Sequence, residues 1–125
     1  MIALSSLFWL SLALPPALRI DCIGLKSNTA PVYLELLDRK GSVVKREVLV
    51  PERNRIELNS VTPGTYALKV FQDLNGNGKL DTGWMGIPKE PYGFSNNAMG
   101  RFGPPALDDL WFDIAEGTVI QIQFR

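Results

Sequence analysis

The chain has 125 residues, enough for one domain with a buried core. Its 13 basic and 13 acidic residues balance, so no charge excess indicates nucleic acid or a basic partner. With no histidine and one cysteine, the sequence excludes a Ser-His-Asp triad, a Cys-His pair, the usual zinc sites and an internal disulfide. We therefore expect a protein that is not an enzyme and does not bind nucleic acid.

The N-terminus carries an uncharged apolar run, IALSSLFWLSLAL at residues 2–14, followed by two prolines and Ala17. The run is too short to span a bilayer, which needs about 20 residues, and it has the length of a signal-peptide apolar region. No Lys or Arg precedes it and the cleavage site is poor, so a retained anchor or a mis-assigned start is the alternative. We predict a signal peptide over 1–17, a periplasmic or secreted protein without a transmembrane span, and one domain over 18–125.

Beyond Ala17, apolar and polar residues alternate with a period of two, which is typical of strands with one buried face. The apolar members of seven such runs are Leu18/Ile20/Cys22, Val32/Leu34/Leu36, Val44/Val48/Val50, Ile56/Leu58, Tyr66/Leu68/Val70, Leu110/Phe112/Ile114 and Ile120/Ile122/Phe124. The pattern predicts an all-β, seven-stranded sandwich of immunoglobulin-like or prealbumin-like type, with these faces buried. Cys22 should then be buried and unreactive; a reactive thiol or an intermolecular disulfide is the alternative.

One segment, residues 73–108, shows no convincing strand and opens with a calcium-like loop, DLNGNGKLD. Side-chain oxygens of Asp73, Asn75, Asn77 and Asp81 fall at loop positions one, three, five and nine, and the Lys79 carbonyl falls at seven. A glycine stands at position six, where an EF-hand-type loop turns sharply. Calcium is a hard cation that takes six to eight oxygens, so this spacing predicts a calcium site.

Two features depart from an EF-hand: position twelve is Trp84, and the flanks are not helices. Glu90, Asp108 or Asp109 could supply the missing carboxylate. With two local carboxylates, we expect weak binding, roughly 10⁻⁴ to 10⁻³ M, as in extracellular modules. The alternative is a plain turn built from two Asn-Gly pairs.

Two long motifs, PGTYALKVFQDLNGNGKLD (63–81) and GIPKEPYGFSNNAMGRFGPP (86–105), resemble the bacterial family called domain of unknown function 2141. The similarity covers most of the chain beyond Ala17. It implies a secreted or periplasmic β-sandwich protein of unassigned function. The PGTYALKV strand is also similar to strands of immunoglobulin-like and prealbumin-like stalk modules.

The second motif is rich in aromatic and amide side chains, the residue types of a carbohydrate or small-ligand site. The candidate ligand-binding residues are Trp84, Tyr92, Phe94, Asn96, Asn97 and Arg101. The alternative is that the aromatic rings, with Phe102, form a local core at one end of the sandwich. The long loop should be ordered in either case.

Three functions remain open from the sequence. The first is a calcium-stabilised binding or accessory module that recognises a carbohydrate or an envelope component. The second is a structural envelope domain without a ligand. The third, which we rank last, is a glycoside hydrolase using Glu90 and Asp108 as its carboxylate pair.

Overall fold

The computed structural model describes residues 16–80, 82, 88–101 and 103–125. These residues form eight strands, β1 (Leu18–Ile23), β2 (Val32–Leu37), β3 (Val43–Leu49), β4 (Arg55–Leu58), β5 (Gly64–Gln72), β6 (Tyr92–Phe94), β7 (Phe112–Ile114) and β8 (Thr118–Gln123). Short 3₁₀ turns occupy Ser95–Asn97 and Leu107–Asp109. None of the helical segments in this part of the chain has the length and apolar character needed to cross a bilayer. The seven predicted strands are confirmed, and β6 is an eighth that the pattern did not predict.

The strands form two sheets. In the smaller sheet, β1 lies between β4, to which it is antiparallel, and β8, to which it is parallel. The larger sheet has the order β3-β2-β5, and both β6 and β7 pair with the far edge of β5. There β7 pairs with Gly64–Tyr66 and β6 pairs with Lys69–Phe71. The result is a sandwich-like, all-β domain.

The main core lies between the two sheets and consists of the inward residues of their strands. Its fully buried members include Leu18, Ile20, Leu36, Leu68 and Ile122. Burial of each such side chain contributes about 1.5–3 kcal/mol to the stability of the folded state. Cys22 belongs to the same cluster and is 5% exposed, which confirms its predicted burial. A smaller buried cluster is formed by Leu37, Ala67 and Leu110.

Strand β6 connects the edges of the two sheets. The N–H of Tyr92 donates to the carbonyl of Arg125 (3.2 Å), and the N–H of Arg125 donates to the carbonyl of Tyr92 (2.9 Å). Between Tyr92 and Phe94, a Cβ on Gly93 would lie only 2.6 Å from Ile122 Cγ2. Glycine is therefore required by the close approach of β8, and a three-residue strand built around glycine has a weak sequence signal.

The prediction that the valines of β3 face the core is wrong. Val44, Val48 and Val50 are 50%, 55% and 54% exposed. On the opposite side of the strand, Lys45 and Glu47 are half-buried and form an ion pair of 3.4 Å. The reason is that β3 is the edge strand of the larger sheet, and of its residues only Leu49 packs against the main core. With little apolar surface opposite, the inner side of β3 can carry charges.

Candidate calcium loop and ligand groove

The base of the candidate calcium loop is anchored by Gln72, the last residue of β5, which is fully buried. Its Oε1 accepts hydrogen bonds from the N–H groups of Lys26 (2.9 Å) and Ser27 (3.3 Å). Its Nε2 donates to the carbonyls of Ser27 (2.7 Å) and Ala30 (3.3 Å). One amide thus makes four hydrogen bonds, its full capacity, and joins the β1–β2 connection to the end of β5.

Asp73 is 1% exposed and organises the loop that follows. Its Oδ1 accepts the N–H of Gly76 (3.1 Å), and its Oδ2 accepts the N–H of Gly78 (2.8 Å). Both glycines have a φ of +74°, a conformation that glycine adopts without steric cost. The chain therefore curls around the Asp73 carboxylate.

The two asparagines continue this curl. Asn75 Oδ1 accepts the N–H of Asn77 (3.2 Å), and Asn77 Oδ1 accepts the N–H of Lys79 (2.9 Å). Such side-chain to backbone bonds two residues apart are Asx turns. Asp81 lies outside the described residues.

A second carboxylate reaches the loop from further along the chain. Glu90 is 6% exposed, and its Oε2 accepts the N–H of Leu74 at 2.6 Å. The other two sequence candidates make their described contacts elsewhere: Asp108 Oδ1 accepts from Trp111 Nε1 (3.3 Å), and the carbonyl of Asp109 accepts from Asn96 (3.2 Å). Of the three candidates, the structure brings Glu90 to the loop.

The donor atoms of this loop are all oxygens, which suits calcium. A carboxylate oxygen has about two lone-pair sites, so the two hydrogen bonds to Asp73 leave acceptor capacity on that group. Within the described ranges there is no group of three or more His, Cys, Asp or Glu residues able to hold a metal. Asp73 and Glu90 are the two carboxylates that the described residues place at the loop. The other candidate donors are amide and carbonyl oxygens of Asn75, Asn77 and Lys79.

Next to this loop, aromatic rings cover the outer face of the larger sheet. Tyr33 and Phe71 are paired in register and stack with ring centroids 5.0 Å apart. Tyr92 is paired with Phe71 in turn, and its ring meets that of Phe94 edge-to-face at 5.9 Å. Tyr92 and Phe94 were predicted from the sequence as ligand-binding residues, whereas Tyr33 and Phe71 were not. An aromatic residue on the nominally polar side of a strand is unusual, and both Tyr33 and Phe71 stand on that side, so the sequence did contain an indication of them.

These rings form the floor of a groove of about 580 Å³. Other groove residues include Glu35, Arg46, Glu47, Val48, Lys69, Gly78, Leu80 and Pro104. Arg46 Nε donates to Glu35 Oε2 at 3.0 Å, so a charged pair lies beside the rings. Gly78 and Leu80 belong to the candidate calcium loop, which therefore forms part of the groove wall.

The polar candidates of the second motif lie elsewhere. Asn96 Nδ2 donates to the carbonyls of Asp109 (3.2 Å) and Trp111 (2.9 Å), and Asn97 Oδ1 accepts the N–H of Gln123 (2.9 Å). Both amides hold the backbone of neighbouring segments. Arg101 is exposed and has no hydrogen bond or ion pair with the described residues. Trp84 and Phe102 lie outside those residues.

Two potential nucleophiles are buried. Burial raises the pKa of the Cys22 thiol to about 12, with a smaller contribution from the nearby Asp21 carboxylate. Ser95 is fully buried; its Oγ donates to the carbonyl of Leu110 (2.5 Å) and accepts the N–H of Leu68 (3.1 Å). Neither residue lines the aromatic groove.

Fold and site together define a small all-β domain with an aromatic groove on one sheet. A family model described as "uncharacterized protein conserved in bacteria" (DUF2141) matches residues 20–122. The chain belongs to this bacterial family, in agreement with the resemblance seen in its two motifs. No curated protein and no solved structure matches it.

Proposed function

We propose that this protein is a periplasmic or secreted binding module, stabilised by calcium, whose ligand is a carbohydrate or another envelope component. The observation that carries the proposal is the groove of four aromatic residues, Tyr33, Phe71, Tyr92 and Phe94, on the outer face of the larger sheet. Phe94 packs against the buried cluster of Leu37, Ala67 and Leu110. The other three rings belong to no such cluster, and because an outer sheet face is ordinarily polar, their presence there needs a reason.

The chemistry of the groove suits a sugar. Aromatic faces pack against the apolar C–H faces of a sugar ring, while a few polar groups fix its orientation. Here Arg46, Glu35 and Lys69 would supply hydrogen bonds to hydroxyl groups. The polar residues of the proposal therefore differ from those selected in the second motif, because Asn96 and Asn97 already bond to the backbone.

Calcium would act on the groove through its wall. Asp73 holds the backbone of Gly78, and Gly78 and Leu80 line the groove. An ion held by the loop oxygens would fix this wall in place. A weak site of this kind fills only where calcium is millimolar, which agrees with a location outside the cytoplasm.

The order of the strands bears on the finer fold type. In an immunoglobulin constant domain the first strand pairs with the second, whereas here β1 pairs with β4 and β8. We therefore propose the prealbumin-like alternative rather than the immunoglobulin-like one.

Binding of the protein to a glycan array, in millimolar calcium and in chelator, tests the proposal. We expect retention of a defined subset of glycans, stronger with calcium. Tyr92→Ala and Phe71→Ala should abolish it. Val119→Ala, an exposed change on the smaller sheet, should not. The proposal would be contradicted if no glycan on the array bound the protein, or if both aromatic variants still bound. Either result would favour a structural envelope domain.

Export and the absence of enzymatic activity are further parts of the proposal. Protein taken from the native envelope should lack residues 1–17 or be held in the membrane by them. N-terminal sequencing decides this, and an intact Met1 in a soluble cytoplasmic fraction would contradict export. Chromogenic glycosides should not be hydrolysed; turnover that Glu90→Gln abolishes would instead support a hydrolase.

A further inference from the structure

Strand β3 leaves one edge of the larger sheet without a described partner. Along the described chain its paired strand is β2, so the backbone N–H and C=O groups on its other edge meet no strand. An open edge of this kind is a template for pairing with another chain. The strand also exposes Val44 and Val48 on its outer face, where a pairing strand would cover them.

The sequence of β3, VVKREVL, is complementary to itself when two copies run antiparallel about Arg46. In that register Lys45 stands opposite Glu47 of the second copy. The regular pairing ends at Val44, which has no partner on β2 because the register shifts there. Opposite charges that stand directly across an antiparallel pair stabilise the pairing of the strands.

The two Arg46 residues would face each other at the centre, where like charges oppose pairing. Each Arg46 already donates to Glu35 of its own chain at 3.0 Å, so the charge at the centre is balanced by a carboxylate on both sides. The Lys45–Glu47 ion pair within each chain would extend to a network of four charges across the two-fold axis.

We propose that β3 is the interface of a symmetric dimer, in which a second copy of this chain extends the larger sheet. The two-fold axis would stand perpendicular to the sheet, as antiparallel pairing of identical strands requires. Both outer faces, and hence both grooves, would then point to the same side. The interface is small, so the dimer should be weak and should dissociate on dilution.

Sedimentation velocity of the protein over a concentration series tests the pairing. We expect a reversible monomer–dimer equilibrium for the wild type. Lys45→Glu alone and Glu47→Lys alone should each be monomeric, because like charges then face each other across the axis. The double variant Lys45→Glu/Glu47→Lys restores the complementary pairs and should dimerise again.

Mixing the two single variants tests most directly whether Lys45 and Glu47 face each other across the interface. One carries two acidic and the other two basic side chains on the inner side of β3, so the mixture should form a heterodimer that neither forms alone. Circular dichroism confirms that each variant is folded. A wild type that stays monomeric at every concentration would overturn the proposal. So would a dimer that both single variants retain, or single variants that stay monomeric when mixed. Glu47 also lines the groove, but sedimentation without a glycan measures association alone, so failure of the dimer can be told apart from failure of the binding role.

Discussion

Glu90 Oε2 accepts the backbone N–H of Leu74 at 2.6 Å, across 16 positions of the chain. This bond joins the two motifs that characterise the sequence, because Leu74 stands in the first and Glu90 in the second. It also places a second buried carboxylate beside the loop that Asp73 organises. Burial of a carboxylate is costly unless it is hydrogen-bonded, and here both groups accept backbone N–H donors of the loop.

Calcium should raise the melting temperature of the wild-type protein, because an ion that binds only the folded state stabilises it by mass action. At about 100 times the dissociation constant the gain is about 2.7 kcal/mol, or several degrees for a domain of this size. Asp73→Ala should abolish the shift, measured against the same variant in chelator. Asp109→Ala is the matched control and should retain it. Magnesium should substitute poorly, since it demands tighter octahedral geometry. Identical wild-type melting curves with calcium and with chelator would leave the double Asn-Gly turn as the explanation of the loop.

Two substitutions at Glu90 separate its hydrogen bond from its charge. Glu90→Gln keeps an oxygen that can accept the N–H of Leu74, so it should lose less stability in chelator than Glu90→Ala, while the calcium shift shrinks. Glu90→Ala removes the acceptor as well and should cost about 1–3 kcal/mol in chelator, the penalty of a buried N–H left without a partner. Urea denaturation with and without calcium measures both quantities. A calcium shift that Glu90→Gln leaves intact would show that this carboxylate is not a ligand.

Gln72→Leu should destabilise the protein strongly. It leaves the backbone groups that Gln72 satisfies without their side-chain partner, and each buried, unpaired group costs about 1–3 kcal/mol. Gln121→Leu, the same change at an exposed position of β8, should have little effect. Equilibrium unfolding in urea compares the two. Equal stability of both variants would mean that water can replace the Gln72 amide.

Cys22 should resist alkylation in the folded protein and react promptly once the chain is unfolded in urea, because only the thiolate is nucleophilic. The pKa rises from the ordinary value of 9.0 to about 12 on folding. Between these values the unfolded chain loses the thiol proton and the folded chain keeps it, so the free energy of unfolding falls as pH rises. Below pH 9.0 this contribution to stability is fully present. Cys22→Ala should reduce the slope of stability against pH in that range. Fast labelling of the native protein at neutral pH would contradict the burial.

Local sequence was sufficient for most of the fold. Period-two alternation located seven strands, since a residue such as Ile20 or Leu34 must alternate with polar neighbours when one strand face is buried. The curl of the loop at Asp73 was equally readable, because it depends on nearby asparagines and glycines at fixed spacing. These features rest on contacts within a few residues of the chain.

Other features depended on distant partners. The valines of β3 alternate like those of a buried strand, yet they face outward because the strand is the edge of its sheet. Strand β6 exists because Gly93 fits against Ile122 and Tyr92 pairs with Arg125. Likewise Tyr33 and Phe71 form a groove with Tyr92 only once β2, β5 and β6 are aligned. Seven strands and the loop could be predicted from the sequence, because their causes are local. Which faces are buried and which aromatic rings meet follows from strand neighbours remote in the chain, so only the folded structure shows them.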